Sequence, residues 1–382
     1  MKLEPEYDII VVGAGVAGLA AATASARAGA CTLVLEAAPE VAMKVKGEVI
    51  RRNNTIVERV LRKPLPDSLI NGSSKRRRIF SPSCKKHALL DMEYESLMIE
   101  YRPFVHELAR ACVTSGARLA LNTVVKDLIF NEREGVCGLA CEREGQRERL
   151  RCKTVIGADG YASSLRHFAR LPAPTLYASY KVVVEGAKIP DDDVLEFMLL
   201  TDPAGAIWIF PKGGSSAECG ITFWDRRFAV QGADVQAAWE RHRENHPILR
   251  ERLRNASYVL TSKDRIIFDG PVEDFARPGL ILVGDAAGHV GAKGGSGILS
   301  GMGMGYAAGE FLGAFVVREK RSPDDETMTK CVEALTRTDT WQMLKDEQQK
   351  GAMTRDFLFN VLRTNEEIDN AWDALMAMAG KE

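Results

Sequence analysis

Three glycines and one acid near the start of the chain could hold a dinucleotide. Gly13, Gly15 and Gly18 form Gly-x-Gly-x-x-Gly directly after the β-branched run Asp8–Val12. Glu36 closes the apolar run that follows. Gly13 permits a tight turn, Gly15 lets a pyrophosphate approach the backbone, and Gly18 lets a helix pack close on a strand. The pyrophosphate then meets free N–H groups at the helix N-terminus. Glu36 stands where a carboxylate accepts from ribose hydroxyls, and its charge argues against a 2′-phosphate and hence against NADP. The pattern alone does not separate NAD from FAD.

Two later stretches carry more chemistry. "KTVIGADGYASSLR" (Lys153 to Arg166) reads as a strand ending in Gly157, Ala158, Asp159 and Gly160. "PGLILVGDAAGHVGAKGGSGI" (Pro278 to Ile298) reads as a strand ending in Gly284 and Asp285, then a glycine-rich turn into a helix. A carboxylate at such a strand end can accept from a ribityl hydroxyl. A helix starting near Gly295 and Gly297 points N–H donors at an electron-rich ring edge.

The three motifs in this order resemble the flavoprotein group typified by aromatic hydroxylases. The resemblance implies FAD, with Asp285 on the ribityl chain and Asp159 near the pyrophosphate. It also implies cofactor contacts from Gly47, Val125, Gly284, Gly295, Gly297 and Ile298. Arg102, in "YRPFVHELARACVTSGARL", matches that group's arginine beside the FAD phosphates. Pro103 and Gly116 frame its helix. An arginine on a solvated helix face is the plainer reading of Arg102.

Three further stretches resemble the geranylgeranyl reductases, which reduce isolated C=C bonds in polyprenyl chains. They are "KVKGEVI" (Lys44 to Ile50), "IFSPSCKK" (Ile79 to Lys86) and "AIWIFPKG" (Ala206 to Gly213). The chain departs from that family at Lys46, where a cysteine is usual, and at Ala206, where a tyrosine is usual. Ala292 and Lys293 depart as well. Read as an alternating strand, "AIWIFP" puts Ala206, Trp208 and Phe210 on one face. Trp208 and Phe210 there could line an apolar substrate tunnel or belong to ordinary sheet core.

The resemblance implies hydride delivery from N5 of reduced flavin to an unactivated alkene. Lys46, His289 and Lys293 are candidate proton donors, because their motifs would abut the ring. An FAD monooxygenase acting on an aromatic or polycyclic substrate is the alternative, and a flavin-binding protein without turnover is a third. No second strand–Gly-x-Gly-x-x-Gly–helix unit occurs, so the reductant is expected from outside, as NAD(P)H or a ferredoxin-type donor protein.

The elements that must position these residues follow from pattern. "VAGLAAATASARAG" reads as a helix ended by Gly29, and "CTLVLE" as a second buried strand. The expected fold class is α/β. A discontinuous Rossmann-like FAD-binding domain would take residues 1–75, 100–170 and 270–325. An antiparallel substrate sheet would take 76–99 and 171–269, as in glutathione-reductase/p-hydroxybenzoate-hydroxylase-like proteins. C-terminal helices would take 326–382, their apolar stripes packing back on the body.

Composition sets the remaining bounds. The 382 residues suffice for about two domains. A net charge of -1 gives no general pull toward nucleic acid. The basic run Lys75 to Arg78 reads as a solvated loop or as a headgroup site beside a lipid mouth. A hydrophobic or lipid substrate, with peripheral membrane contact, fits the resemblance. The eight cysteines form no Cys-x-x-Cys pair, and the start lacks a basic leader, so a cytoplasmic protein with reduced thiols and no metal is expected. The apolar segment Ile298 to Val317 holds five glycines and Glu310, which favours a buried helix over a membrane span.

Overall fold

The computed structural model describes residues 3–43, 48–52, 55–224, 234–357, 361–362 and 364–379. They form two eight-stranded sheets. The first has a parallel centre. Glu6–Val12 pairs in parallel with Thr32–Leu35 on one side and Gln146–Gly157 on the other. Arg118–Ala120 and Leu280–Leu282 extend it outward. Ile9, Ile10 and Val11 are fully buried, because the centre of this sheet is covered on both faces. That burial is why the run is continuously apolar rather than alternating. An antiparallel meander, Thr123–Phe130, Val136–Arg143 and Gln146–Gly157, returns the chain to the centre.

Two helices pack on this sheet almost backbone to backbone. They are the fingerprint helix Val16–Arg27 and the long helix Ile298–Glu319. A β-carbon on Gly305 would fall 2.2 Å from the carbonyl oxygen of Ala17, and one on Gly309 would fall 2.1 Å from that of Ala21. Gly301, Gly305, Gly309 and Gly313 recur every fourth residue and so line one stripe of the long helix. Close helix packing accounts for the glycine-rich apolar segment. No helix among the described residues is long and apolar enough to cross a membrane.

The second sheet runs in the order Ser257–Ile266, Tyr177–Glu185, Ala217–Phe223, Ala204–Pro211, Val194–Thr201, Ile70–Phe80, His87–Ile99, Val49–Arg51. Only the pairing of Val194–Thr201 with Ile70–Phe80 is parallel. On one face Ile207, Ile209 and Ile221 pack with Trp239 and Leu249 from the helices Val235–Asn245 and Pro247–Arg252. The alternate residues Trp208 and Phe210 occupy the opposite face.

The basic run Lys75 to Arg78 lies inside the strand Ile70–Phe80 rather than in a loop. Both carboxylate oxygens of Asp193 accept from Arg76 at 2.7 Å. Arg78 donates to Asp191 at 2.6 Å and to buried Glu196 at 2.8 Å. The run is thus neither a solvated loop nor open for a headgroup at Arg76 and Arg78, whose counter-charges come from Asp193 and Asp191. Near the C-terminus, the helix Asn365–Ala379 packs back on the body through buried Ile368 and Trp372.

Candidate functional site

The three fingerprint glycines do three different things. Gly13 has φ +102°, and a β-carbon there would sit 2.3 Å from the carbonyl oxygen of Ala158. A β-carbon on Gly18 would sit 1.9 Å from the carbonyl oxygen of Gly13. Both close contacts fold the loop onto the neighbouring strand end. A β-carbon on Gly15 would meet nothing within 4 Å. Its bare backbone at the N-cap of the fingerprint helix faces open space, as an anion-binding helix start requires.

Glu36 closes this loop. One carboxylate oxygen accepts from the Ala14 N–H at 2.8 Å and the other from the Ala38 N–H at 2.9 Å. The carboxylate is thereby fixed at the strand end, against the turn. The strand carrying Val125 starts beside it, since the Thr123 N–H donates to the Glu36 carbonyl at 2.8 Å. Val125 itself is buried. Arg102 is exposed, in the first turn of the helix Tyr101–Thr114.

The two Gly-Asp stretches come together on the other side of the fingerprint. Gly157 and Leu282 are register partners in adjacent strands, so both stretches leave the sheet side by side. Buried Arg166 joins them: its guanidinium donates to the Ala286 carbonyl at 3.1 Å and to the Tyr161 carbonyl at 2.9 Å. Asp159 uses one carboxylate oxygen to accept from the Leu165 N–H at 3.2 Å and the Ser164 hydroxyl at 3.3 Å. Its other oxygen is buried with no hydrogen-bond partner. A buried acceptor left unmatched is costly, and a bound polar group would satisfy it.

Gly284 has φ +64°, and a β-carbon there would lie 2.8 Å from the methyl of Ala17. Gly297 is the N-cap of the long helix that Ile298 begins, and a β-carbon on it would lie 3.3 Å from the Asp285 carboxylate. Since Gly301 also abuts Ala17 and Gly284, the N-termini of the fingerprint helix and the long helix converge on one place. Two converging helix starts, a bare glycine and an unmatched acceptor fit a dinucleotide whose pyrophosphate needs donors and whose hydroxyls need acceptors.

His289 is fully buried. Its Nδ1 accepts from the Gly284 N–H at 3.2 Å, and its ring lies edge-on to Phe275 and Trp341. Burial pushes its pKa down to about 3, so it stays neutral and braces the Gly284 turn. Lys293 is exposed at the tip of the glycine-rich turn. Lys46 and Gly47 lie outside the described residues.

The same turn meets the second sheet. A β-carbon on Gly295, whose φ is +69°, would lie 2.3 Å from Ile266. Across that sheet face, residues paired directly in register lead from Ser262 through Lys181 and Gly220 to Trp208 and Phe197. The indole of Trp208 lies flat on Gly220, where a β-carbon would come within 2.2 Å of the ring. Phe210 stacks between Trp208, at 6.3 Å, and Phe197, at 5.3 Å between ring centroids. Trp208 and Phe210 stay half-buried while their neighbours Ile207 and Ile209 are sealed in the core. An aromatic wall thus stands on the sheet face that the glycine-rich turn meets, three strands from Ile266.

Sequence reading missed two sets of residues here. The helix Asp339–Asp356 clamps the turn: Arg355 donates to the Ala292 carbonyl at 2.9 Å, and Gly351 abuts the same carbonyl. Charged side chains also line the sheet face. Glu218 accepts from the Trp208 indole N–H at 3.2 Å and pairs with Lys181 at 3.3 Å. Lys212 pairs with Glu48, the first described residue after Lys46 and Gly47. A charge next to an aromatic in an alternating strand has no local signature that separates it from a solvated one.

Comparisons with known proteins agree with this geometry. A family model described as an FAD binding domain matches residues 6–325. The digeranylgeranylglycerophospholipid reductase of Methanocaldococcus jannaschii is 30% identical over 318 residues, covering 81% of this chain and 77% of the relative. Digeranylgeranylglycerophospholipid reductase 2 of Methanopyrus kandleri is 29% identical, covering 97% of this chain and 90% of the relative. Among solved structures, a geranylgeranyl bacteriochlorophyll reductase-like protein from Thermoplasma acidophilum superposes with a TM-score of 0.78. That pair shares 24% identity over 94% of this chain and 91% of the other. The flavin-dependent brominase Bmp2 shares the fold at a TM-score of 0.75 and 15% identity, over 98% and 93% of the two chains.

Proposed function

The chain belongs to the FAD-binding-domain family and, within it, to the digeranylgeranylglycerophospholipid reductases, and on that premise we propose that it reduces isolated C=C bonds in polyprenyl, geranylgeranyl-type lipids. The observation that carries this reading is the aromatic wall of Trp208, Phe210 and Phe197 on the sheet face that the glycine-rich turn meets. Apolar and half-buried, it suits a polyprenyl chain laid along it.

When bound, FAD supplies the hydride equivalent for the alkene. The protein's own residues hold and orient the reactants. The bare backbone at Gly15 and the two helix starts bind the pyrophosphate. Glu36 takes the adenosine ribose, Asp159 the pyrophosphate region, and Asp285 the ribityl chain. Gly295 and Gly297 keep side chains away from the ring edge. Trp208 and Phe210 align the double bond and exclude water. Electrons reach the site from a separate donor, NAD(P)H or a ferredoxin-type protein.

The test uses FAD-loaded protein reduced with dithionite and incubated with geranylgeranyl-bearing phospholipid. The expected product is heavier by two hydrogens for every double bond reduced. No mass gain on any polyprenyl lipid, or incorporation of oxygen instead, would overturn the reading.

A further inference from the structure

Five charged side chains form two neighbouring groups that make a file, Glu100, Lys212 and Glu48 toward solvent and Glu218 with Lys181 at the aromatic wall, coupled electrostatically rather than by a direct contact. Glu100 is the outer member, with its side chain 42% exposed. Lys212 lies 3.5 Å from it and pairs inward with Glu48. Lys212 and Glu48 are 7% and 8% exposed. Glu48 acts electrostatically on the buried Glu218 carboxyl, and that carboxyl acts on Lys212. Lys181 closes the file at 3.3 Å from Glu218.

These residues come from five separate segments of the chain, and packing alone does not call for them. Burying one ion costs several kcal/mol, and an apolar replacement of such a pair is often neutral or stabilising. The file also ends at a meaningful place. The Glu218 carboxyl accepts from the Trp208 indole, so it points at the wall along which the alkene would lie. Loss of solvation is the main effect on this carboxyl, and Glu48 adds to it. Lys181 and the Trp208 N–H oppose them, and the net result holds the Glu218 pKa above the ordinary carboxylate range. A carboxyl so placed retains a proton where an exposed one would have lost it.

We propose that Glu218 is the proton donor of alkene reduction, positioned by Lys181 and refilled from solvent through Glu100, Lys212 and Glu48. The inference rests on the reductase reading. One alkene carbon forms its bond to hydrogen with the proton from Glu218, and the other with the hydride equivalent from the reduced cofactor. The alkene gains two electrons, the cofactor loses two, and the external donor, NAD(P)H or ferredoxin-type, restores them. Glu218 is left as a carboxylate and regains its proton along the file.

The test compares wild-type holoenzyme with Glu218→Gln. Alkene reduction falls by about 10²-fold or more in the variant, the range for a lost general acid, while KM and the flavin spectrum hold. The wild-type rate declines as pH rises through the raised Glu218 pKa, and the variant loses that limb. Electrochemical reduction of the bound FAD, followed by infrared difference spectroscopy, gives a substrate-free readout. A carboxylic-acid band that shifts in heavy water and vanishes in Glu218→Gln is expected. Should Glu218→Gln misfold, Glu100→Gln at the solvent end slows proton refilling and enlarges the solvent isotope effect. If wild-type protein reduces no polyprenyl lipid, the reductase reading falls and the infrared band alone decides whether Glu218 exchanges a proton with the redox state. Full rate with an unchanged pH profile in Glu218→Gln, or absence of the infrared band, overturns the proposal.

Discussion

Gly305 of the long helix and Ala17 of the fingerprint helix meet so closely that no side chain fits between them. A β-carbon on Gly305 would lie 2.2 Å from the Ala17 carbonyl oxygen, inside any real contact distance. The neighbour is backbone, so it cannot rotate away. Gly305→Ala must therefore spread the two helices whose N-termini frame the cofactor cradle. The expected destabilisation is about 1–3 kcal/mol, the usual cost of overpacking, with FAD affinity falling in parallel. Chemical denaturation with and without added FAD measures both.

The fingerprint glycines make a sharper contrast. Gly15 has an ordinary φ of -76°, and a β-carbon there meets nothing. Gly15→Ala should leave the unfolding transition of FAD-free protein unchanged and weaken FAD binding. Gly18→Ala, which places a methyl 1.9 Å from the Gly13 carbonyl oxygen, should lower the stability of the FAD-free protein as well. Fluorescence titration of FAD-free protein with FAD, set beside thermal melts, separates the two. Equal loss of stability in both variants would contradict an open pyrophosphate seat at Gly15.

The parts of the site that sequence made legible are those built from contiguous chain. The turn from Gly13 to Gly18, the Gly284–Asp285 turn and the alternation through Trp208 and Phe210 each depend on backbone geometry within a few residues. The setting of Arg76 and Arg78 was not legible, because Asp193 and Asp191 neutralise them from more than a hundred residues away. The file through Lys181, Glu218, Glu48 and Lys212 was hidden for the same reason. Each member looks like an ordinary surface charge until the sheet register brings them together. The clamp of Arg355 on Ala292 likewise needs the helix Asp339–Asp356 in place.

His289 and His246 predict how the fold responds to acid. Burial pushes the His289 pKa down to about 3, and burial with nearby His242 pushes that of His246 down to about 4. Both stay neutral in the fold at pH values where the unfolded chain, near the ordinary 6.5, takes up protons. Stability is therefore complete above pH 6.5 and declines as pH falls toward each depressed value. Each histidine contributes a slope on the order of 1.4 kcal/mol per pH unit in that window. Replacing His289 with Gln lowers the baseline by removing its bond to the Gly284 N–H, but it also flattens the slope. Urea denaturation at several pH values between 4 and 7 checks the slope rather than the baseline. An unchanged slope would mean that His289 is not held neutral.

The last prediction concerns how Trp208 is held. Its indole rests on Gly220 and its N–H is taken by Glu218, so the ring is fixed from below and at one edge. A methyl at Gly220 would push into the ring at 2.2 Å and come within 2.6 Å of the Tyr180 carbonyl oxygen, so the ring must tilt off the sheet and the pairing with the Tyr180 strand must give slightly. Gly220→Ala should thus narrow the space above the wall without touching the FAD cradle. With a polyprenyl lipid as substrate, the expected result is a KM raised about 10-fold, on the scale of one misfitted group in an apolar pocket, with FAD affinity unchanged. Trp208→Phe in the same background removes the ring's share of the clash and should restore part of the loss, because the smaller ring no longer reaches the added methyl, while the contact with the Tyr180 carbonyl remains. Steady-state kinetics on the single and double variants test this directly. Additive losses in the double variant would show that Gly220 and Trp208 act independently, against the contact that the structure places between them.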